Sequence, residues 1–329
     1  MINFLELSPS ERSDYITFAA TQLGVSEVII EKDFWVVFTL QCLFNSHFKD
    51  YLVFKGGTSL SKAYQIIQRF SEDIDLTIDR KLLGFDEDNG DIAEHSRKKQ
   101  DAFIKNIIKN CTSFVELKIL KELREIFANY LQESFELYID PDDPLSIRFI
   151  YPQHGNPTYI KPYVYLEFGI RGALEPSEQK VIQSYLTQQI TALKPDNVTV
   201  KTLSPNRTFF EKLTLLHAEA NRPLDKPTPL RLSRHYYDLY CYKEYGIPDD
   251  IELLKQVIMH KNLYFKTSWA NYQEIFNTGI QLINHERLID LRKDYMDTKI
   301  MIFKDPPDFD VLISHIQEIE RYFNKQILR

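Results

Sequence analysis

Residues 54–78 read FKGGTSLSKAYQIIQRFSEDIDLTI and decide the expected fold. A short β-type run, 51–54, leads into two glycines, and a second β-type run occupies 73–78. Between the two runs, apolar residues recur at the three- and four-residue spacing of a helix. These residues are Leu60, Ala63, Tyr64 and Ile67. The stretch therefore predicts strand, glycine turn, helix and strand in succession, with the residues after Gly57 lengthening the helix.

Two carboxylates alternate with aliphatic residues in the second run. On a strand, Asp73 and Asp75 project to one face while Ile74 and Leu76 enter the core. The carboxylates then lie about 7 Å apart along the strand. Such a pair suits Mg²⁺ that carries substrate phosphates. Taken alone, the pattern also fits an edge strand with aspartates on its wet face.

Gly56 and Gly57 lie where the first strand turns into the helix. Glycine lets the backbone approach a phosphate closely, and a helix N-terminus offers unpaired N–H groups. Thr58 and Ser59 add hydroxyls to this candidate phosphate site, although an ordinary tight turn is the alternative. A P-loop is excluded because no second glycine precedes Lys62 in GGTSLSK, and GxGxxG is absent from the sequence.

Glu167 is the third candidate acid. It lies between Leu166 and Phe168 on a strand predicted from residue 159 onward, where an acid needs a partner. That partner is either a metal shared with the two aspartates, or Arg171 or water at the end of the sheet.

The combination resembles the first signature of the nucleotidyltransferases of the DNA polymerase β superfamily. More narrowly, it resembles the AbiEii/AbiGii toxins of type IV toxin–antitoxin and abortive-infection systems, which include the MenT toxins. That branch has a strand, GG[ST], a helix and a strand with an S/T-x-D-I-D core. The matching residues are Gly56, Gly57, Thr58, Ser71, Asp73 and Asp75.

Three further residues resemble later positions of the family. The second signature is matched by Tyr165-Leu166-Glu167-Phe168, with Glu in place of the usual Asp. Lys212 in FFEKLTLLHAE and Asp238 in SRHYYDLYCY resemble the helical lysine and the later aspartate.

The resemblance implies an α+β fold with a polymerase β-like nucleotidyltransferase core, a small mixed sheet with helices. It gives N-terminal helices at 1–50, the core at 51–205 and a helical domain at 206–329. Ser8 or Ser10 begins a first helix that Gly24 ends, and Ser26 begins a second, buried helix. A last short strand is predicted at 198–200. The apolar period further predicts C-terminal helices at 207–220, 229–245, 249–262, 268–297 and 309–328.

The resemblance also implies the chemistry. An NMP moves from an NTP to an acceptor hydroxyl, with a tRNA 3′ end as the known acceptor class and a cognate antitoxin as partner. Two Mg²⁺ ions lie on Asp73, Asp75 and Glu167. The catalytic set comprises these three acids with Lys212 and Asp238, and the nucleotide-binding set comprises Gly56, Gly57, Thr58, Ser59, Arg69 and Ser71.

Several of these residues keep a second interpretation. Lys212 also fits a surface lysine, and Asp238 an i,i+4 partner of Arg234. Arg69 reaches a phosphate or stays in water. Ser71 has no role or is phosphorylated by a partner, which would add charge beside the metal site. His217 and His235 line a cleft or simply pack.

One charged pair has no predicted function. Lys32 and Asp33 interrupt the apolar surface of the second helix and predict a solvated corner.

Composition limits the class of protein. The chain has 329 residues, with 40 Lys and Arg against 47 Asp and Glu, a formal charge of −7. No apolar run approaches the roughly 20 residues that span a bilayer, and the acidic N-terminus does not resemble a signal peptide. Three distant cysteines argue against a disulfide framework. These features predict a soluble, cytoplasmic protein without a membrane partner.

The net acidity argues against a nucleic-acid partner, but the charge is uneven. Residues 95–124 carry eight Lys and Arg against three acids, and 201–234 carry seven against three.

Two other functions stay open. One is transfer to a hydroxyl of a protein or small molecule, and the other is a non-catalytic helical interaction protein.

Overall fold

The computed structural model describes residues 3–87, 89–152, 161–303 and 305–328. It divides into two compact units. The sheet unit comprises Met1–Tyr64, Phe70–Asp88 and Arg97–Leu203. The helical unit comprises Gln65–Arg69, Asn89–Ser96 and Ser204–Arg329. Residues 159 and 160 of the strand predicted around Glu167 lie outside the described residues.

The described part of the sheet unit contains one mixed sheet of seven strands in the order β3-β4-β5-β2-β1-β7-β6. β2 pairs parallel with β5 and antiparallel with β1, which pairs parallel with β7. The predicted α+β class is confirmed. The strands are β1 Leu52–Lys55, β2 Asp73–Ile78, β3 Glu136–Ile139, β4 Ser146–Ile150, β5 Val164–Gly169, β6 Ser177–Ile182 and β7 Val198–Leu203.

The helices divide between the two units. Those of the sheet unit are α1 Pro9–Leu23, α2 Glu27–Phe44, α3 Gly56–Lys62, α5 Arg97–Phe114, α6 Leu120–Tyr130 and α7 Tyr185–Gln189. Those of the helical unit are α4 Asn89–Glu94, α8 Pro205–Ala220, α9 Ser233–Tyr245, α10 Ile251–Tyr264, α11 Ile275–Thr278, α12 Leu288–Thr298 and α13 Phe309–Ile327. Within the described ranges, none of these helices is long and apolar enough to cross a membrane.

Local signals set the limits of the first helix as predicted, and the second begins directly after Ser26, which makes no side-chain cap. Ser8 caps α1 through a reciprocal capping box with Glu11, and Gly24 ends the helix in the left-handed conformation. α2 contacts β2, β5 and β7, and also α1, α6 and α7. Because it has neighbours on so many sides, α2 is buried almost all round, as its apolar sequence predicts.

The length predicted for the helix after Gly57 is wrong. α3 ends at Lys62, and Gln65–Arg69 belong to the helical unit. There the Gln68 carbonyl accepts a hydrogen bond from the Phe303 N–H at 2.9 Å. The apolar spacing after Leu60 reflects burial of Ile66 and Ile67 in an irregular segment.

The predicted helix at 268–297 is also wrong, since α11 ends at Thr278. Gly279 follows with φ of +87°, which breaks the helical backbone. A Cβ at Gly279 would lie 2.8 Å from Asn324 Oδ1 of α13. The helix resumes only at Leu288.

The solvated corner predicted for Lys32 and Asp33 is wrong, because both residues are buried. Lys32 Nζ donates to Glu72 Oε2 at 2.6 Å and to the Lys161 carbonyl at 2.8 Å. Burial lowers the pKa of Lys32 and raises that of Asp33, and their partners oppose both shifts. Asp33 lies 2.7 Å from Lys62 Nζ and accepts the Tyr185 N–H at 2.6 Å.

The Lys32–Glu72 and Asp33–Lys62 ion pairs lie at opposite ends of the segment that connects α3 to β2. Lys62 is the last residue of α3, and Glu72 immediately precedes β2. Two consecutive residues of α2 therefore hold the end of α3 and the start of the strand that carries both aspartates. We call this arrangement the α2 clamp.

Lys32→Met is expected to lower the free energy of unfolding by about 3–5 kcal/mol, because it removes the cation that neutralises buried Glu72. The double variant Lys32→Met/Glu72→Met should recover most of that loss, since it buries no unbalanced carboxylate. Urea unfolding measures both. A double variant as unstable as the single one would contradict this account of the clamp.

Candidate active site

The strand register sets the candidate site. Asp75 of β2 lies between Lys55 of β1 and Glu167 of β5, its partners in the sheet. Paired residues on neighbouring strands project to the same face, and Asp73 shares that face because it lies two residues away. The residues on the opposite face are fully buried: Ile74, Leu76, Leu166 and Phe168. The three predicted carboxylates are therefore neighbours on the more exposed face of the sheet.

Gly56 allows the turn after β1 to approach this face. Its φ is +77°, a conformation that side chains other than glycine rarely adopt. A Cβ at this position would lie 1.9 Å from Asp75 Oδ2. Glycine is thus required both by the backbone and by the Asp75 carboxylate beside it.

The hydroxyls predicted to bind phosphate point into the protein. Thr58 and Ser59 are fully buried. Thr58 Oγ1 donates to the Asp73 carbonyl and lies 2.9 Å from Ser71 Oγ. Ser59 Oγ donates to the Gly56 carbonyl at 2.9 Å. In this structure, these hydroxyls hold the glycine turn against the start of β2.

Glu167 has an unusual acidity. Desolvation of its carboxyl group and the charge of Asp75 raise the pKa of Glu167 to about 7, although Lys55 opposes the shift. Crowded carboxylates with a raised pKa are a common feature of sites that bind a cation or transfer a proton.

A metal ion fits the donor set of this face. Asp73, Asp75 and Glu167 offer the carboxylate oxygens that Mg²⁺ prefers, and a cation beside them would relieve the repulsion that raises the pKa of Glu167. Among the described residues, however, no three His, Cys, Asp or Glu side chains are already gathered closely enough to hold an ion.

The other predicted site residues form a second cluster, inside the helical unit. Asp238 is fully buried and accepts hydrogen bonds from Arg69 Nε and Nη2, at 2.7 and 2.9 Å. Lys212 Nζ lies 2.8 Å from Asp238 Oδ2 and 3.4 Å from His235 Nδ1. Asp238 thus pairs with Lys212, and Arg69 is buried and does not stay in water.

Burial and charge shift the acidities of this cluster. The pKa of Asp238 is lowered, because the cations Arg69 and Lys212 outweigh the effect of burial. Burial together with the charge of Lys212 lowers the pKa of His235 well below its usual value, so its ring is neutral. His217 is buried and its Nδ1 accepts the Gln281 N–H at 3.0 Å, which makes it a packed residue.

Sequence reasoning missed Lys55 and the α2 clamp. Lys55 precedes the glycines, but only the pairing of β1 with β2 reveals that it lies beside Asp75. The clamp carried one signal, since two adjacent charges inside an apolar helix need buried partners.

Gly56→Ala is expected to lower the free energy of unfolding more than the matched variant Gly24→Ala. Both glycines have positive φ, so each substitution carries backbone strain of roughly 1–2 kcal/mol. Only at position 56 does the new Cβ meet a carboxylate, because nothing lies within 4 Å of it at position 24. If urea unfolding shows equal losses of unfolding free energy for the two variants, the Cβ at position 56 does not clash with Asp75.

Glu167→Gln is expected to stabilise the protein above pH 7 in the presence of EDTA. The native state holds the Glu167 proton up to about pH 7, whereas the unfolded chain releases it near the usual 4.5. The stability of the natural chain therefore falls as the pH rises from 4.5 to about 7. The variant carries no ionisable group at this position and avoids the loss.

Denaturation across pH measures the Glu167 effect. The advantage of the variant should disappear below pH 4.5, where both states are protonated. Glu136→Gln, at an exposed position of the same sheet, is the control and should show no such trend. A pH-independent advantage of Glu167→Gln would exclude the electrostatic explanation.

The comparison with protein families agrees with the sequence pattern. Residues 39–323, most of the chain, match the family model described as "Nucleotidyl transferase AbiEii toxin, Type IV TA system". No curated protein matches the chain. Among solved structures, MenT4, a nucleotidyltransferase toxin from Mycobacterium tuberculosis, is 15% identical with a TM-score of 0.46, over 95% of this chain and 97% of that one.

A putative nucleotidyltransferase from H. pylori is 14% identical with a TM-score of 0.45, over 92% of this chain and 97% of that one. The family expected from residues 54–78 is confirmed by the match of the family model. The chain belongs to the AbiEii family of nucleotidyltransferase toxins of type IV toxin–antitoxin systems.

Proposed function

We propose that this toxin transfers an NMP from an NTP to the 3′ hydroxyl of a tRNA. The acceptor oxygen bonds to the α-phosphorus, the bond from that phosphorus to the β-phosphate oxygen breaks, and pyrophosphate leaves. The observation that carries the proposal is the register that sets Asp75 beside Glu167, with Asp73 on the same face. Both substrates are cytoplasmic molecules, so we propose that the toxin acts in the cytoplasm.

The carboxylates would hold two Mg²⁺ ions. Bound there, the ions would neutralise charge on the phosphates and lower the pKa of the attacking hydroxyl. Asp73 and Asp75 are ligands in this proposal, and Glu167 is either the third ligand or the group that accepts the hydroxyl proton. Either role places the Glu167 carboxylate beside Asp75, its partner in the sheet.

The turn from β1 to α3 would bind the triphosphate. The first N–H groups of a helix have no partner within it, and Gly56 brings this turn against Asp75. Since the Thr58 and Ser59 hydroxyls are bonded within the protein, we assign phosphate binding to the backbone and a supporting role to the hydroxyls.

The roles of the helical-unit cluster stay predictions. Lys212 would neutralise charge on the triphosphate, and its 2.8 Å contact with Asp238 supports the idea that Asp238 positions it. Arg69 uses two nitrogens on Asp238, which favours a role in holding that carboxylate over a direct phosphate contact.

The distribution of charge supports an RNA acceptor. α5, α6 and the π-helical segment Val115–Ile119 between them present exposed lysines to solvent, and such residues bind a phosphate backbone. These are Lys98, Lys99, Lys105, Lys109, Lys118 and Lys121. The second basic stretch contributes less than its sequence predicts, because Arg207 and Lys212 are buried beside acids. The family implies an antitoxin as a further partner.

Asp75→Asn is expected to abolish transfer. Incubation with each labelled NTP, Mg²⁺ and total RNA should label tRNA with the natural chain, and the variant should lose about a hundredfold or more of the rate. Asp50→Asn, an exposed change just before β1, is the control. A thermal-shift titration with NTP and Mg²⁺ should show weaker binding by Asp75→Asn only.

The same experiment distinguishes transfer to tRNA from the two alternative functions. Label in the protein or small-molecule fraction, with RNA unlabelled, would replace tRNA by another hydroxyl acceptor. Absence of both transfer and NTP binding by the natural chain would favour a non-catalytic protein. Full activity of Asp75→Asn would refute the assignment of the metal site.

A further inference from the structure

A row of side chains crosses the sheet beside the carboxylates. In the register of four adjacent strands, Tyr138 of β3 pairs with Arg148 of β4, Arg148 with Tyr165 of β5, and Tyr165 with Asp73 of β2. Paired positions share a face, so the row leads directly to the face that carries the proposed metal ligands. We call Tyr138, Arg148 and Tyr165 the tyrosine–arginine row.

The row is partly open to solvent. Its two tyrosines are half-buried, and the Arg148 side chain is 25% exposed. Arg148 Nε donates to Asp140 Oδ2 at 2.5 Å, which holds the guanidinium in one orientation. The neighbouring Tyr163 ring lies 5.1 Å from the Arg148 guanidinium carbon.

The position of the row relative to the proposed triphosphate site limits which kind of ligand the row can bind. Gly56 and β1 lie on one side of β2, whereas the row extends from the other side through β5 and β4 to β3. With about 4.8 Å between strands, three steps from Asp73 to Tyr138 span about 14 Å. One nucleobase needs only a single ring to stack on, whereas two aromatic positions with a cation between them suit consecutive nucleotides of a strand.

We infer that the tyrosine–arginine row binds the unpaired 3′-terminal nucleotides of the RNA acceptor. The bases stack on Tyr165 and Tyr138, and the Arg148 guanidinium contacts the phosphate between them. Asp140 pairs with Arg148, so exposed Lys161 near Tyr163 supplies the additional positive charge that an RNA strand needs beside the carboxylates. This inference rests on the proposed function, because it names the acceptor subsite of the same reaction.

Two substitutions at one position test the stacking. Tyr165→Leu removes the aromatic ring, whereas Tyr165→Phe keeps it. Binding of a short, labelled, single-stranded RNA is measured by fluorescence anisotropy in EDTA without NTP, so that no chemistry is needed. Tyr165→Leu should weaken binding about tenfold or more, and Tyr165→Phe should remain close to the natural chain.

Steady-state kinetics supplies the second readout. Tyr165→Leu should raise KM for tRNA by a similar factor and leave KM for the NTP unchanged. The same pattern is expected for Tyr138→Leu at the far end of the row, which guards against a local folding defect at position 165. Tyr130→Leu, an exposed tyrosine of α6 outside the row, is the control and should change neither constant.

Each contrary outcome has a distinct meaning. A raised KM for the NTP with unchanged RNA binding would assign the row to the base of the incoming nucleotide and overturn the inference. Unchanged RNA binding with both leucine variants folded would also overturn it. RNA binding that depends on the row, without any transfer by the natural chain, would refute the proposed function and leave the RNA subsite intact.

Discussion

The pairing of β2 between β1 and β5 is the constraint on which the candidate site depends. A shift of one residue would turn Asp73 and Asp75 into the core and Ile74 to solvent. In the observed register, Asp75 lies between Lys55 and Glu167, and the charge of Asp75 contributes to the raised pKa of Glu167. Packing of the aliphatic face therefore determines which charged groups meet on the opposite face.

Buried ion pairs hold charged side chains in place in both units. The α2 clamp holds both ends of the connection from α3 to β2, through Lys32 with Glu72 and Asp33 with Lys62. In the helical unit, Asp238 gathers Arg69 and Lys212. Such pairs add little net stability compared with an apolar core, but removing one partner is costly, so they suit the precise placement of a few side chains.

Much of the site was predictable because its signals are local. Strand alternation indicated that Asp73 and Asp75 share a face, and capping residues marked the limits of α1. The predictions that were wrong concerned residues whose surroundings come from elsewhere in the chain. The apolar spacing around Ile66 and Ile67 indicated a helix but reflects burial in the helical unit, and Lys32 with Asp33 indicated solvent but found partners about 30 to 40 residues away.

The sequence by itself determined the order strand, glycine turn, helix and strand, and the family to which the chain belongs. It did so because residue alternation, glycine conformation and helix caps act between close neighbours in the chain. Only the tertiary structure decided that Gly56 touches Asp75, that Thr58 and Ser59 point inward, and that a tyrosine–arginine row leads to Asp73. These contacts arise from strand pairing between distant segments, and no local pattern encodes a register across four strands.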